Sequence, residues 1–104
     1  MTREEFITKL KDSLDEHIKN KDLDAWFYNW FDPKDCYGEN KGINRYINSK
    51  IPGKWEMTDL EGNGTSVGEG VFWNDKYCLE LHLNCWNEND GEEEYIDDYS
   101  LEGE

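Results

Sequence analysis

The amino-acid sequence predicts an α+β domain, with N-terminal helices packed on an antiparallel β-sheet and an acidic C-terminal segment. Three observations predict it. Apolar residues recur every fourth position from Phe6 to Ile18, and from Trp55 onward the period drops to two. The last nineteen residues, Trp86 to Glu104, hold nine acids (Glu88, Asp90, Glu92, Glu93, Glu94, Asp97, Asp98, Glu102 and Glu104) and no Lys or Arg. A period near 3.6 belongs to a helix with one buried stripe, and a period of two to a strand with one buried face. A chain of 104 residues has room for one core. The expected division is one α+β body over residues 1–86 and an acidic segment over 87–104, either free or docked on the body.

Thr2 can cap the first helix, with Glu5 three residues later completing a capping box, and Phe6, Leu10, Leu14 and Ile18 form its stripe. His17 adjoins that stripe and reads as a partly exposed helix-end residue. Asp22 to Pro33 packs Trp26, Phe27, Tyr28, Trp30 and Phe31 into six positions, and Pro33 ends this second helix because the residue before proline is pushed out of the α region. Those rings are either core or anchors lining a pocket or interface. Asp32 to Gly38 reads as a loop or very short strand. Asn40 to Ser49 can form a short helix burying Ile43, Tyr46 and Ile47, and Pro52-Gly53 closes the helical half.

Strands follow from Trp55 and Met57, through turn residues at Glu61 to Gly64, to an extended run from Thr65 to Trp73. A hairpin is expected to turn at Asn74-Asp75. In that register Phe72 faces Tyr77, Gly70 and Gly68 face Leu79 and Leu81, Glu69 faces Glu80, and His82 faces Val67. Tyr77, Leu79, Leu81, Leu83 and Cys85 share one side of the strand, and Glu80, His82 and Asn84 the other. Two glutamates opposed across a sheet are unfavourable unless solvated, protonated or bound to a cation, so Glu69, Glu80 and His82 make either a wet face or an acid/base or cation site. Tyr95, Ile96, Tyr99 and Leu101 could pin a last strand or short helix onto the body.

The formal charge of -14 excludes several functions. Nucleic acid and anionic membranes would be repelled. No nucleophile elbow, phosphate loop, zinc-protease motif or dinucleotide fingerprint occurs, so no catalytic residue and no cofactor are expected. Asn87 to Gly91 resembles a calcium loop, but its glycine comes one place early and the later bidentate Glu is missing. Cys36, Cys78 and Cys85 read as free thiols without metal-site spacing. The opening is interrupted by charge, unlike a signal peptide, and no apolar run could span a membrane; a cytoplasmic protein is expected.

The order of first helix, aromatic segment Asp22 to Pro33, short helix with Ile43 and Tyr46-Ile47, and strands opening at Trp55 resembles the NTF2-like α+β superfamily over about residues 3–86. That resemblance implies a sheet curved round a pocket covered by helices, in a superfamily that includes enzymes, ligand binders and immunity proteins. It departs from the pattern in lacking a hairpin between the early helices. A short string, Tyr37 to Asn40, is similar to a stretch of barstar-type ribonuclease inhibitors, whose mainly parallel sheet does not fit the hairpin here.

The reading that follows is a non-catalytic acidic inhibitor, of immunity, toxin–antitoxin or anti-defence type, that blocks a basic protein surface such as a nuclease active site. Glu92, Glu93, Glu94, Asp97 and Asp98 would steer the partner, with Tyr95 and Tyr99 as anchors. The alternative is an NTF2-like pocket for a small apolar ligand among Trp26, Trp30 and Trp55, with Glu69, Glu80 and His82 as its polar groups.

Overall fold

A computed structural model describes residues 1–25, 41–62, 68–85 and 95–104. Helix α1 spans Arg3–Asn20. Thr2 is extended, and its hydroxyl accepts the Glu5 N–H at 3.1 Å and donates to the Glu5 carboxylate at 3.1 Å. One orphan donor of the first turn is thereby satisfied. The helix stops in a Schellman motif with Lys21 left-handed (φ 55). The Lys21 N–H donates to the Ile18 carbonyl and the Asp22 N–H to the His17 carbonyl, both at 3.2 Å. Phe6, Leu10 and Leu14 are buried, whereas Ile18 is only half-buried. Steps of four residues advance the stripe by about 40° each, so by Ile18 it has drifted roughly 120° from Phe6.

Helix α2 spans Lys41–Lys50 and buries Ile43 and Ile47. Tyr46, half-buried, accepts the Asp24 N–H on its hydroxyl at 2.7 Å. The loop after α2 is held by two asparagines one turn apart. Asn48 accepts the Trp55 N–H at 2.6 Å and donates to the Trp55 carbonyl at 3.1 Å, while Asn44 accepts the Met57 N–H at 2.8 Å. Gly53 sits at φ 98, and a Cβ there would come 2.7 Å from Phe6 Cζ, so only glycine fits.

The sheet is an antiparallel meander, β1 (Glu56–Gly62), β2 (Gly68–Asn74), β3 (Leu79–Cys85) and β4 (Asp98–Glu102), in sequential order. A bulge between Met57 and Asp59 kinks β1. The β2–β3 turn corrects the expected register. Four residues, Asp75–Cys78, make the turn, and Asn74 pairs with Leu79. Asn74 stays in the strand because its buried side chain accepts the Tyr77 N–H at 2.8 Å and donates to the Lys54 carbonyl at 3.1 Å. Cys78 takes the left-handed position instead (φ 53). Phe72 therefore faces Leu81, Gly70 faces Leu83, Gly68 faces Cys85, Glu69 faces Asn84, and His82 faces Val71. The slip is even, so every side chain keeps its expected face.

The inner face meets the helices. Leu79, Leu81, Leu83, Phe72 and Cys85 are fully buried with Leu10, Leu14, Leu23 and Ile47. Phe6 stacks on Tyr77 with centroids 4.2 Å apart. The acidic C-terminus closes on α1: Lys11 pairs with Glu104 at 2.7 Å, the Arg3 guanidinium donates to the Gly103 and Tyr77 carbonyls, and the Tyr99 hydroxyl donates to Asp15 at 2.9 Å. Upstream of β4, Tyr95 bridges Asp24 and the Ile96 N–H donates to the Leu23 carbonyl at 2.8 Å. The expected aromatic helix over Asp22 to Pro33 lies outside the described residues beyond Ala25, as do Cys36 and the calcium-like loop.

Candidate functional site

Alternation along four paired strands sorts the side chains into two populations. The inner face is apolar. The outer face carries Glu56 and Asp59 from β1, Glu69 from β2, Glu80 from β3, and Asp98 and Glu102 from β4, with His82 near its middle. All eleven Lys and Arg of the chain lie outside the four strands, so no strand offers these carboxylates a permanent cation. Trp73 stands on the same face and is 36% exposed. An exposed indole flanked by Glu56 and Glu80 across the strands combines an apolar anchor with a directed field.

His82 holds the centre of this face. Its Nδ1 lies 2.6 Å from Glu69 Oε1 and its Nε2 lies 3.1 Å from Glu80 Oε2. The carboxylates reach it differently: Glu80 is two residues away on the same strand, while Glu69 is the diagonal neighbour across β2. Partial burial by itself would lower the imidazole pKa, but the hydrogen bonds to Glu69 and Glu80 and their charges together raise it above the usual value. Glu80 is lowered in turn, first by its hydrogen bond to His82 and then by one with Glu102, its cross-strand partner. One imidazole thus bridges two carboxylates, and the second of them bonds a third. Beyond His82 on β3, Asn84 is buried between the cross-strand Glu69 and Asp98, and among the described residues nothing donates to its Oδ1.

The expected site residues divide into groups. The structure brings Glu69, Glu80 and His82 together on the outer face. Trp55 sits on the other side of the sheet, 1% exposed, with its indole N–H donating to the Pro52 carbonyl at 2.8 Å. Trp26, Trp30, Glu92, Glu93 and Glu94 lie outside the described residues. Asp98 is exposed on the acidic face, and Asp97 is half-buried beside it in sequence. Tyr99 points inward, where burial, its bond to Asp15 and the charges of Asp15, Glu104 and Asp12 push its pKa up to about 12. Tyr95 is half-buried, with Lys21 Nζ 5.5 Å from its ring centroid.

Sequence reasoning missed Glu56, Asp59, Glu102 and Trp73 as members of one face. For Glu56, Glu102 and Trp73 the signal was present in the outer parity of a period-two pattern, but Asp59 shares the parity of the inward Met57 and reaches the outer face only through the bulge between them.

A separate groove of about 950 Å³ opens at the end of the β1–β2 pair, between Phe6, Trp55, Trp73 and Tyr77, with Lys54 and Lys76 among its lining. No helix among the described residues is long and apolar enough to cross a membrane. No family model, curated protein or solved structure matches this chain.

Proposed function

We propose that this chain is a small acidic cytoplasmic inhibitor that lays the outer face of its sheet against a cationic protein surface, such as the phosphate-binding groove of a nuclease. The observation that supports this reading is the charge sorting: among the described residues six carboxylates share one face with Trp73, and the four strands contain no Lys or Arg. Such a field accelerates encounter by up to several decades at low salt, and a buried aromatic anchor then lengthens the complex. The further acids Glu92, Glu93 and Glu94 add charge next to this face in sequence. The immunity or anti-defence role belongs to the same reading.

The test compares the wild type with Asp59→Lys/Glu102→Lys, and with Lys9→Glu on α1 as a control, as stoichiometric inhibitors of a panel of basic nucleases at two salt concentrations. The face variant should lose inhibition, the control should keep it, and salt should weaken the wild type. Equal inhibition by all three proteins, or none by the wild type, sinks the reading.

A second reading rests on the groove beside Phe6 and Tyr77. Its aromatic walls suit a flat apolar ligand, in keeping with an NTF2-like pocket protein, and Lys54 and Lys76 would favour an anionic substituent. A small-molecule thermal-shift screen distinguishes it: no stabilising ligand, alongside nuclease inhibition, eliminates this second reading.

A further inference from the structure

Glu80 and His82 stand two residues apart on β3, and Glu102 is Glu80's direct partner on β4. One carboxylate oxygen from each glutamate and one ring nitrogen of His82 lie within 4.8 Å of one another. The His82 ring is already oriented, because Nδ1 is held 2.6 Å from Glu69 and Nε2 is turned toward Glu80. A carboxylate behind an imidazole that presents its other nitrogen is the usual support of a metal-bound histidine. We propose that Glu80, His82 and Glu102 bind a divalent first-row transition-metal ion such as Zn²⁺, with Glu69 positioning the imidazole.

Two further observations favour a cation over an ordinary wet face. Glu80 and Glu102 are carboxylates in direct cross-strand register, which costs stability unless a proton or a cation lies between them. Among the described residues no Lys or Arg is within ion-pair distance of either. Along the same face of β3, Asn84 is 7% exposed, and among the described residues nothing donates to its Oδ1.

The geometry needs little adjustment. Ligand atoms about 2.0–2.2 Å from a tetrahedral ion are roughly 3.4 Å from each other. Glu80 and His82 already stand at 3.1 Å, so the closure falls mainly on Glu102, which ends an exposed edge strand. A mixed imidazole and carboxylate set suits Zn²⁺, Fe²⁺ or Mn²⁺ better than Ca²⁺ or Mg²⁺, which prefer oxygen alone. Three protein ligands leave at least one position for water or for a group from another molecule. Glu80 and Glu102 also belong to the acidic face, but metal binding is read on the protein alone, so either proposal can fail without the other.

The full 104-residue chain, stripped of metal by chelation and desalting, is titrated with Zn²⁺, Co²⁺ and Ca²⁺ by calorimetry, with the Co²⁺ form also read by its visible d–d absorption. One equivalent of Zn²⁺ should bind, and Co²⁺ should give a d–d band. His82→Gln and Glu102→Gln should each weaken Zn²⁺ binding by at least ~10-fold, and Glu69→Gln by roughly 10-fold at unchanged stoichiometry. The wild-type His82 ring nitrogens, followed by NMR, give a readout that needs no variant: Nε2 should shift on adding Zn²⁺. Absence of Zn²⁺ binding, an unshifted His82 ring, Ca²⁺ binding as tight as Zn²⁺, or undiminished affinity in folded His82→Gln each overturns the proposal.

Discussion

Replacing Asn48 with alanine should destabilise the protein by about 2 kcal/mol, because one side chain supplies two of the hydrogen bonds that fasten the start of the sheet to α2. The amide accepts the Trp55 N–H at 2.6 Å and donates to the Trp55 carbonyl at 3.1 Å. A typical bond of this kind contributes a net ~1 kcal/mol, and a backbone group left dry costs about 1–3 kcal/mol. Trp55 is 1% exposed, so water reaches its neighbourhood poorly and the loss lies toward the upper part of that range. Alanine returns about 0.5 kcal/mol of helix propensity. The result is a melting temperature lower by roughly 8–16 °C for a domain of this size. Asn48→Asp keeps the acceptor for the N–H but loses the donor to the carbonyl, so it should fall between wild type and alanine. Ser49→Ala is the control: its hydroxyl donates to the Tyr46 carbonyl at 2.6 Å on the exposed side, and its removal should change stability by less than about 0.5 kcal/mol. Urea unfolding followed by tryptophan fluorescence and circular dichroism should show a lower midpoint at constant slope. An alanine variant within about 0.5 kcal/mol of wild type, or an aspartate variant worse than alanine, refutes the reasoning.

Gly53→Ala should cost at least about 1–2 kcal/mol in the same assay, since φ is 98 and the new Cβ would meet the Phe6 and Trp55 rings; an unchanged midpoint would show that the loop relaxes freely. Tyr99 holds its proton more tightly folded (about 12) than unfolded (about 10), so its contribution is complete below pH 10 and is lost as pH rises toward 12. Tyr99→Phe should therefore flatten the alkaline fall in stability over that window, and an unaltered slope would contradict it. Trp73→Ala should leave folding stability within about 0.5 kcal/mol but accelerate dissociation from a bound nuclease; unchanged dissociation would remove Trp73 from the interface.

Helices α1 and α2 were readable because their signals are local. Thr2 and Glu5 cap α1 as their spacing predicts, and Ile43 and Ile47 are buried as expected for α2. The faces of β3 were equally legible, since Leu79, Leu81 and Leu83 alternate with Glu80 and His82 whatever the register, whereas the bulge in β1 turned Asp59 away from Met57. The turn was not. Asn74 looked like a turn residue by its own chemistry, and its side chain is held in the strand by the Lys54 carbonyl, twenty residues earlier.

The candidate site divides along the same line. Sequence alone sets which residues are acidic, that Glu69 lies on the parity opposite Phe72, and that Glu80 and His82 lie on the parity opposite the leucines, because charge and period-two alternation are properties of single strands. Which of them touch is a matter of pairing between strands. Only the tertiary structure sets Glu69 diagonal to His82, makes Glu102 the partner of Glu80, and turns Tyr99 inward against Asp15. Cross-strand register depends on turn length and on contacts distant in the chain, and no local pattern encodes it.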